Sequence, residues 1–188
     1  MRGKWAAGIP PRNFTWVIRD RLALSERPGG FAPNHRRVRR TEELIWLRAQ
    51  GFTRIVSLLP SQHNLHAYDD EHIAHAHFPL VPGIDPRPVL SDCFQALDAA
   101  LHDGERVLVH LEELGDRVMG VAAGFLVWNG RIPSEPKSIA LVEHLVGHQM
   151  GSAGRELVVA AAGLRPLPPR SLPPRPVPPR SVPPRQPV

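Results

Sequence analysis

Cysteine is almost absent from this chain of 188 residues: Cys93 stands alone, and one thiol rules out an internal disulfide. Lysine is nearly as scarce, with 2 copies against 21 arginines, a ratio that GC-rich coding explains better than selection for phosphate contacts. No charged-then-apolar leader opens the sequence, so no secretory signal is expected. The longest apolar run, Val118 to Trp128, is eleven residues, whereas a membrane-spanning helix needs about 20. Together these absences predict a soluble, cytoplasmic protein without a membrane span.

What is present divides by segment. An apolar content of 42% is enough to bury one core. Residues 1–40 carry a charge balance of +8, residues 41–164 a balance of −8, and residues 165–188 five arginines and no acid. The net charge of +5 therefore equals the charge of the last segment alone. A pI near 10.5 says little about the globular part, and nucleic acid is not an expected partner. The expected organisation is an N-terminal extension over 1–12, one domain over 13–164 and a tail over 165–188.

The tail reads RPLPPRSLPPRPVPPRSVPPRQPV, near-copies of [Leu/Val]-Pro-Pro-Arg-x with a five-residue period. Eleven prolines in 24 residues preclude helix and sheet and favour an extended polyproline II rod. Arginine beside PxxP is what aromatic-grooved adaptor domains read, so a PxxP-reading domain is one partner the tail fits; a disordered charged extension without a partner is the other reading.

Within the domain, Thr15 to Ile18 and Leu22 to Ser25 read as a strand pair ended by RPGG. TEELIWLRAQG predicts a helix with Thr41 as N-cap, Glu42 and Glu43 in its first turn and Gly51 just past its end. RIVS is a buried strand. A helix is expected from about Leu65 to His75 and a strand from His77 to Val81. LSDCFQALDAALHDG is amphipathic, with Leu90, Cys93, Phe94, Leu97 and Leu101 on one stripe and Gly104 as its stop. A strand at Val107 to Val109, a helix at Val118 to Trp128 and helices near Lys137 to His148 and Leu157 to Leu164 complete the order. Strands alternating with helices at this spacing point to an α/β fold with a central, mostly parallel sheet flanked by helices. Ligands in such sheets sit beyond the carboxyl ends of the strands, where the turn after Val109 falls.

That turn is His110-Leu111-Glu112-Glu113-Leu114-Gly115-Asp116-Arg117. A cation in the first turn of the next helix opposes the helix dipole by about 0.3–1 kcal/mol unless an anion lies close. Either Glu112, Glu113 and Asp116 supply that anion, or a ligand does.

The segment resembles the signature loop of the cysteine-dependent protein tyrosine and dual-specificity phosphatases: His-Cys, five residues, then Arg and Ser or Thr. His110 and Arg117 occupy the family positions, and the VLV strand and apolar helix flank them as in the family. NFTWVIRDRLALSERPG resembles the opening segment of dual-specificity phosphatases, and PLVPGIDPRP lies where they carry their aspartate loop. The resemblance covers residues 13–155. It implies that residues 112–117 (Glu112, Glu113, Leu114, Gly115, Asp116 and Arg117) form a phosphate-binding loop, with Arg117 as clamp and Asp85 as general acid. The implied ligand is a phosphorylated protein or a small phosphorylated molecule, with no cofactor and no metal.

Three departures remove the chemistry that the resemblance would bring. Leu111 occupies the nucleophile position and cannot form a phosphocysteine. Leu114 stands where the family has glycine, a change that costs about 1–2 kcal/mol where φ must be positive; Gly115 beside it offers another shape for the loop. Val118 replaces the hydroxyl residue. The expected product is a pseudophosphatase; a working phosphatase with another nucleophile and an adaptor acting through the tail are the alternatives.

Other candidates read more plainly. Cys93 lies on the apolar stripe of its helix and is expected to be core. Asp85, in the turn-forming run PGIDPRP, stands equally as family acid and as turn cap. Five histidines between positions 63 and 77 match no zinc spacing and read as a solvated helix and strand edge, and His110 reads as a buried loop anchor. The four arginines of NHRRVRR read as a solvated basic turn.

Overall fold

The computed structural model describes residues 8–30 and 36–164. The Pro-Arg tail, and with it the PxxP expectation, lies outside the described residues, as does most of the N-terminal extension. The elements are β1 (Thr15–Ile18), β2 (Leu22–Glu26), α1 (Arg37–Ala49), β3 (Arg54–Ser57), α2 (His66–Asp70), β4 (Ala74–His77), α3 (Arg87–His102), β5 (Val107–Leu111), α4 (Asp116–Trp128), α5 (Glu135–Val146) and α6 (Ser152–Ala162). Five strands form one sheet in the order β1-β2-β5-β3-β4; β1 is antiparallel to β2 and every other pair is parallel. This is the α/β sheet expected from the sequence.

The central strands are apolar on both sides because both faces are covered. Their period of two divides the side chains between two cores. Leu22, Leu24, Val56, Val107 and Val109 point into one core with Leu90, Phe94 and Leu97 of α3, Val121 and Phe125 of α4, Val142 of α5 and Val158 of α6. Ala23, Ile55 and Leu108 point into the other, with Leu44 and Leu47 of α1, Phe52, Tyr68 and Ile73. Cys93 is 1% exposed in the first core, the structural place expected for it.

Helix α4 is buried around almost its whole circumference, so it can pack only where its neighbours come very close. A Cβ at Gly124 would lie 2.7 Å from that of Ala161, and one at Gly120 would strike the backbone of Gly154. The α4–α6 crossing therefore depends on those glycines.

Several boundaries differ from the sequence expectation. Helix α1 begins at Arg37, and Arg36, extended at φ −125°, is its N-cap in place of Thr41. Glu43, with no exposed surface, accepts from Gly29 N–H at 2.7 Å and from Arg39 Nε at 2.6 Å; these tertiary bonds, with the Arg39–Glu43 pair four residues apart, carry the helix a turn further back than the Thr-Glu-Glu signal suggests. Arg36 and Arg37 are exposed as expected, but Arg37–Arg40 are helical, Arg39 is mostly covered and Arg40 is 8% exposed, so only the first half of the stretch is solvated.

Helix α2 stops at Asp70. His72 is left-handed at φ 58°, its N–H bonded to Asp69 O and that of Ile73 to Tyr68 O, a Schellman closure without the usual glycine to announce it. The strand consequently runs Ala74–His77, earlier than expected, where it pairs with Arg54–Ser57. Among the described residues no helix is long and apolar enough to cross a membrane, and no group of three His, Cys, Asp or Glu is placed to hold a metal.

Candidate functional site

Four parallel strands end on one edge, and the loop after β5 runs across it. Glu26 of β2 is in register with Leu111, and Ser57 of β3 with His110. Hydrogen bonds continue past the strands: Arg27 N–H to Glu112 O at 3.5 Å and Leu58 N–H to His110 O at 3.0 Å. His110 and Leu111 are therefore strand residues, and the turn itself is only residues 112–115, shorter than the eight residues expected.

His110 anchors the base of this loop. It is fully buried, with Nε2 2.8 Å from the Tyr68 hydroxyl, and burial pushes its pKa from 6.5 down to about 3. It is a neutral hydrogen-bonding partner, as expected, and not a proton carrier. Burial likewise pushes the Tyr68 hydroxyl up.

The loop borders a cleft of about 320 Å³ lined by Pro60, Leu111, Glu112, Glu113, Gly115, Asp116 and Arg117. Leu111, at the end of β5, presents hydrocarbon to it. Leu114 does not line it: that side chain packs against the core and borders a separate hollow with Phe14, Val146 and His148. Leu114 is also absent from the positive-φ residues, so the strain expected there does not arise. Gly115 is extended at φ −126°, with open space where a Cβ would stand, and has no need of glycine's conformational freedom. No residue of the turn from 112 to 115 takes a left-handed backbone.

The electrostatics separate the two readings of Arg117. Its Nη2 donates to the Leu80 carbonyl at 2.7 Å, and among the described residues no carboxylate forms an ion pair with it. The loop's own acids line the same cleft without forming an ion pair with Arg117. Glu112 pairs with Arg27 at 3.1 Å, Glu113 is exposed, and Asp116 lies against Gly151 at the start of α6. Desolvation lowers the Arg117 pKa from its ordinary value, leaving a half-buried cation that faces the cleft without an ion pair among the described residues.

Asp85 is held outside this arrangement. Its carboxylate accepts from the Arg87 guanidinium at 2.8 and 2.9 Å and from Arg87 N–H at 3.1 Å, which keeps its pKa below the usual carboxylate range. It caps the turn into α3. Its neighbours Gly83, Ile84 and Pro86 border a second cleft, of about 380 Å³, that also touches Arg117, while Asp85 lines neither. The histidines spread apart: His75 pairs with Asp69 at 3.1 Å, and His77 Nε2 is 2.7 Å from the Leu59 carbonyl.

Sequence reasoning missed Arg27. It is 7% exposed, with Nη2 donating to the His63 carbonyl at 2.8 Å and Nη1 to Glu112. Its only sequence signal is its place at the carboxyl end of β2, which matters once β2 is known to lie beside β5.

No protein family and no curated protein matches the sequence. Solved structures do match. The chain superposes on kinase-associated phosphatase, crystallised with its catalytic cysteine changed to serine, with a TM-score of 0.69 over 82% of this chain and 96% of that one, at 20% identity. The fold is that of the dual-specificity phosphatases. Tk-PTP in its active form matches with a TM-score of 0.63 at 17% identity, covering 80% of this chain and 97% of that one. A mouse putative dual-specificity phosphatase complexed with zinc tungstate matches with a TM-score of 0.62 at 20% identity, over 88% and 92%. Within this phosphatase fold the loop after β5, with Arg117 in the first turn of α4, lies at the carboxyl edge of the sheet, where α/β folds bind ligands.

Proposed function

We propose that this domain is a pseudophosphatase: it binds a phosphorylated protein or a small phosphorylated ligand through Arg117 and does not hydrolyse it by the cysteine route. The observation that carries this reading is a half-buried guanidinium with no ion-paired carboxylate among the described residues, in a cleft that Leu111 helps to line. A phosphoryl group accepts the planar fork of an arginine through two oxygens, and the first turn of α4 adds the positive end of a helix dipole. Of the carboxylates that made anion binding doubtful in the sequence, Glu112 is paired with Arg27, whereas Glu113 and Asp116 line the cleft without an ion pair among the described residues.

Phosphocysteine chemistry needs a thiolate in line with phosphorus to accept the phosphoryl group as the alcohol leaves. Leu111 supplies none. Cys93 is no substitute: it is 1% exposed in the core, and burial pushes its thiol up to about 12. A change at Asp85 would have no covalent step to assist, and its carboxylate is engaged by Arg87.

The test is a pair of assays on the full chain. Wild-type protein is expected to leave p-nitrophenyl phosphate intact, since loss of a covalent nucleophile costs on the order of 10⁶ in turnover. Tungstate or phosphate should bind, and Arg117→Ala should abolish that binding. Leu111→Cys is expected to gain measurable hydrolysis; an inert Leu111→Cys protein that also fails to bind tungstate would remove the reading.

A further inference from the structure

We propose that the second cleft, which shares Arg117 with the first, docks the protein segment that carries the phosphoryl group, taking an aliphatic residue and a lysine or arginine of that segment. The inference rests on the phosphoryl-ligand reading of Arg117 and decides it for a phosphorylated protein over a small phosphorylated molecule.

Arg117 lines both clefts, and its Nη2 is fixed to the Leu80 carbonyl, so the chain that follows Leu80 starts the wall of the second. Val81, Pro82 and Ile84 come from that loop, and Leu157 and Ala160 of α6 add to the same lining. The loop is held by its own bonds. Ile84 N–H donates to the Val81 carbonyl at 3.4 Å across a turn with Pro82 and Gly83 at its centre, and Gly83 takes the left-handed backbone at φ 79°. The Asp85 carboxylate, clamped by Arg87, fixes the other end. Ile84 is thereby left 64% exposed beside a hydrocarbon lining, and Asp85 has a use that needs no covalent step.

Charge selects the occupant. Among the described residues Glu156 is the only carboxylate that lines this cleft; it is exposed and forms no ion pair. An occupant therefore meets a guanidinium at Arg117, hydrocarbon from the loop and α6, and a carboxylate at Glu156. A compact phosphate ester supplies a partner only for the first. A polypeptide supplies all three, with its phosphoryl group on Arg117, an aliphatic side chain against Ile84 and Leu157, and a cation on Glu156. Glu113 and Asp116, which line the first cleft without an ion pair, add to the same preference for cations beside the phosphoryl group. An acidic neighbour would be repelled by all three carboxylates, so the site selects against acidic segments as well as for basic ones.

The experiment is calorimetry on the full-length protein at fixed ionic strength with tungstate and two phosphothreonine peptides, one flanked on both sides by leucine and lysine, the other by leucine and glutamate. The wild type is expected to bind the lysine peptide about fivefold tighter than the glutamate peptide. Glu156→Lys should shrink that preference to about twofold or less, whereas the same charge change at Asp98, an exposed residue of α3 that lines neither cleft, should leave it in place. Ile84→Ala should lower the affinity for both peptides about tenfold relative to that for tungstate. Ile84 and Glu156 are exposed, so these changes leave the core intact. Equal binding of the two peptides by the wild type, or an unchanged peptide-to-tungstate ratio in Ile84→Ala, would overturn the docking cleft; tungstate binding that still depends on Arg117 would leave the reading of the first cleft standing. Failure of tungstate and of both phosphopeptides to bind would remove both.

Discussion

Two arginines and one histidine belong to the loop after β5 or support it, and burial gives each a different role. Arg117 is half-buried and faces the cleft without an ion-paired carboxylate among the described residues; Arg27 is enclosed and has one. His110, also enclosed, is held neutral. Its folded pKa of about 3 lies below its ordinary 6.5, so between those values the unfolded chain takes up a proton that the folded chain refuses. Stability from this group is complete above pH 6.5 and is lost as pH falls through that window, by at most ~1.4 kcal/mol per pH unit. His110→Gln keeps a partner for the Tyr68 hydroxyl and has no proton to gain. Its urea midpoint should fall less than the wild-type midpoint between pH 7 and pH 5; parallel curves would mean that His110 is not held neutral by the fold.

At the scale of elements, the position of the loop depends on the crossing of α4 with α6. Arg117 and Asp116 begin α4, and Asp116 packs on Gly151, the residue before α6. A Cβ at Gly120 would lie 2.7 Å from Gly154 Cα, with backbone on the opposing side and no side chain to yield. Gly120→Ala should therefore cost about 3 kcal/mol, the upper end of overpacking penalties, and lower the melting temperature. Gly115→Ala is the control. With open space around it and an extended backbone, it should cost under about 1 kcal/mol, the difference between glycine and alanine at an N-cap. Equal losses from the two would refute the close-crossing account of α4.

For the whole molecule, the described core is bounded by Leu22 and Ala161, and the last contact toward the tail is Trp128 Nε1 donating to the Leu164 carbonyl at 3.1 Å. A chain ended after Arg165 retains every one of these groups. Its melting temperature should stay within about 2 °C of the full chain, because every described core residue and the Trp128–Leu164 bond are kept. A larger fall would show that residues 166–188 help to hold the domain together. The same truncation tests whether a PxxP-reading partner acts through the tail, since such a partner would be lost while phosphate binding by Arg117 remained.

The sequence by itself determined the order of strands and helices, the apolar stripe of α3, the strand-to-helix turn after β5 and the place of Arg117 in the first turn of the helix that follows. Each of these is a local property: side-chain period, turn residues and a cation at a helix start are legible within a dozen residues. Where local signals compete with contacts from elsewhere in the chain, the sequence is silent. Thr41 gave way to Arg36 because Glu43 is tied to Gly29, and β4 begins at Ala74 because His72 closes α2 without a glycine. Only the tertiary structure decided that Glu112 belongs to Arg27 and that Leu114 faces away from the cleft. The physical reason is pairing across the sheet. β2 and β5 are some eighty residues apart in sequence, and until their register brings Glu26 beside Leu111, nothing local can say which cation meets which carboxylate.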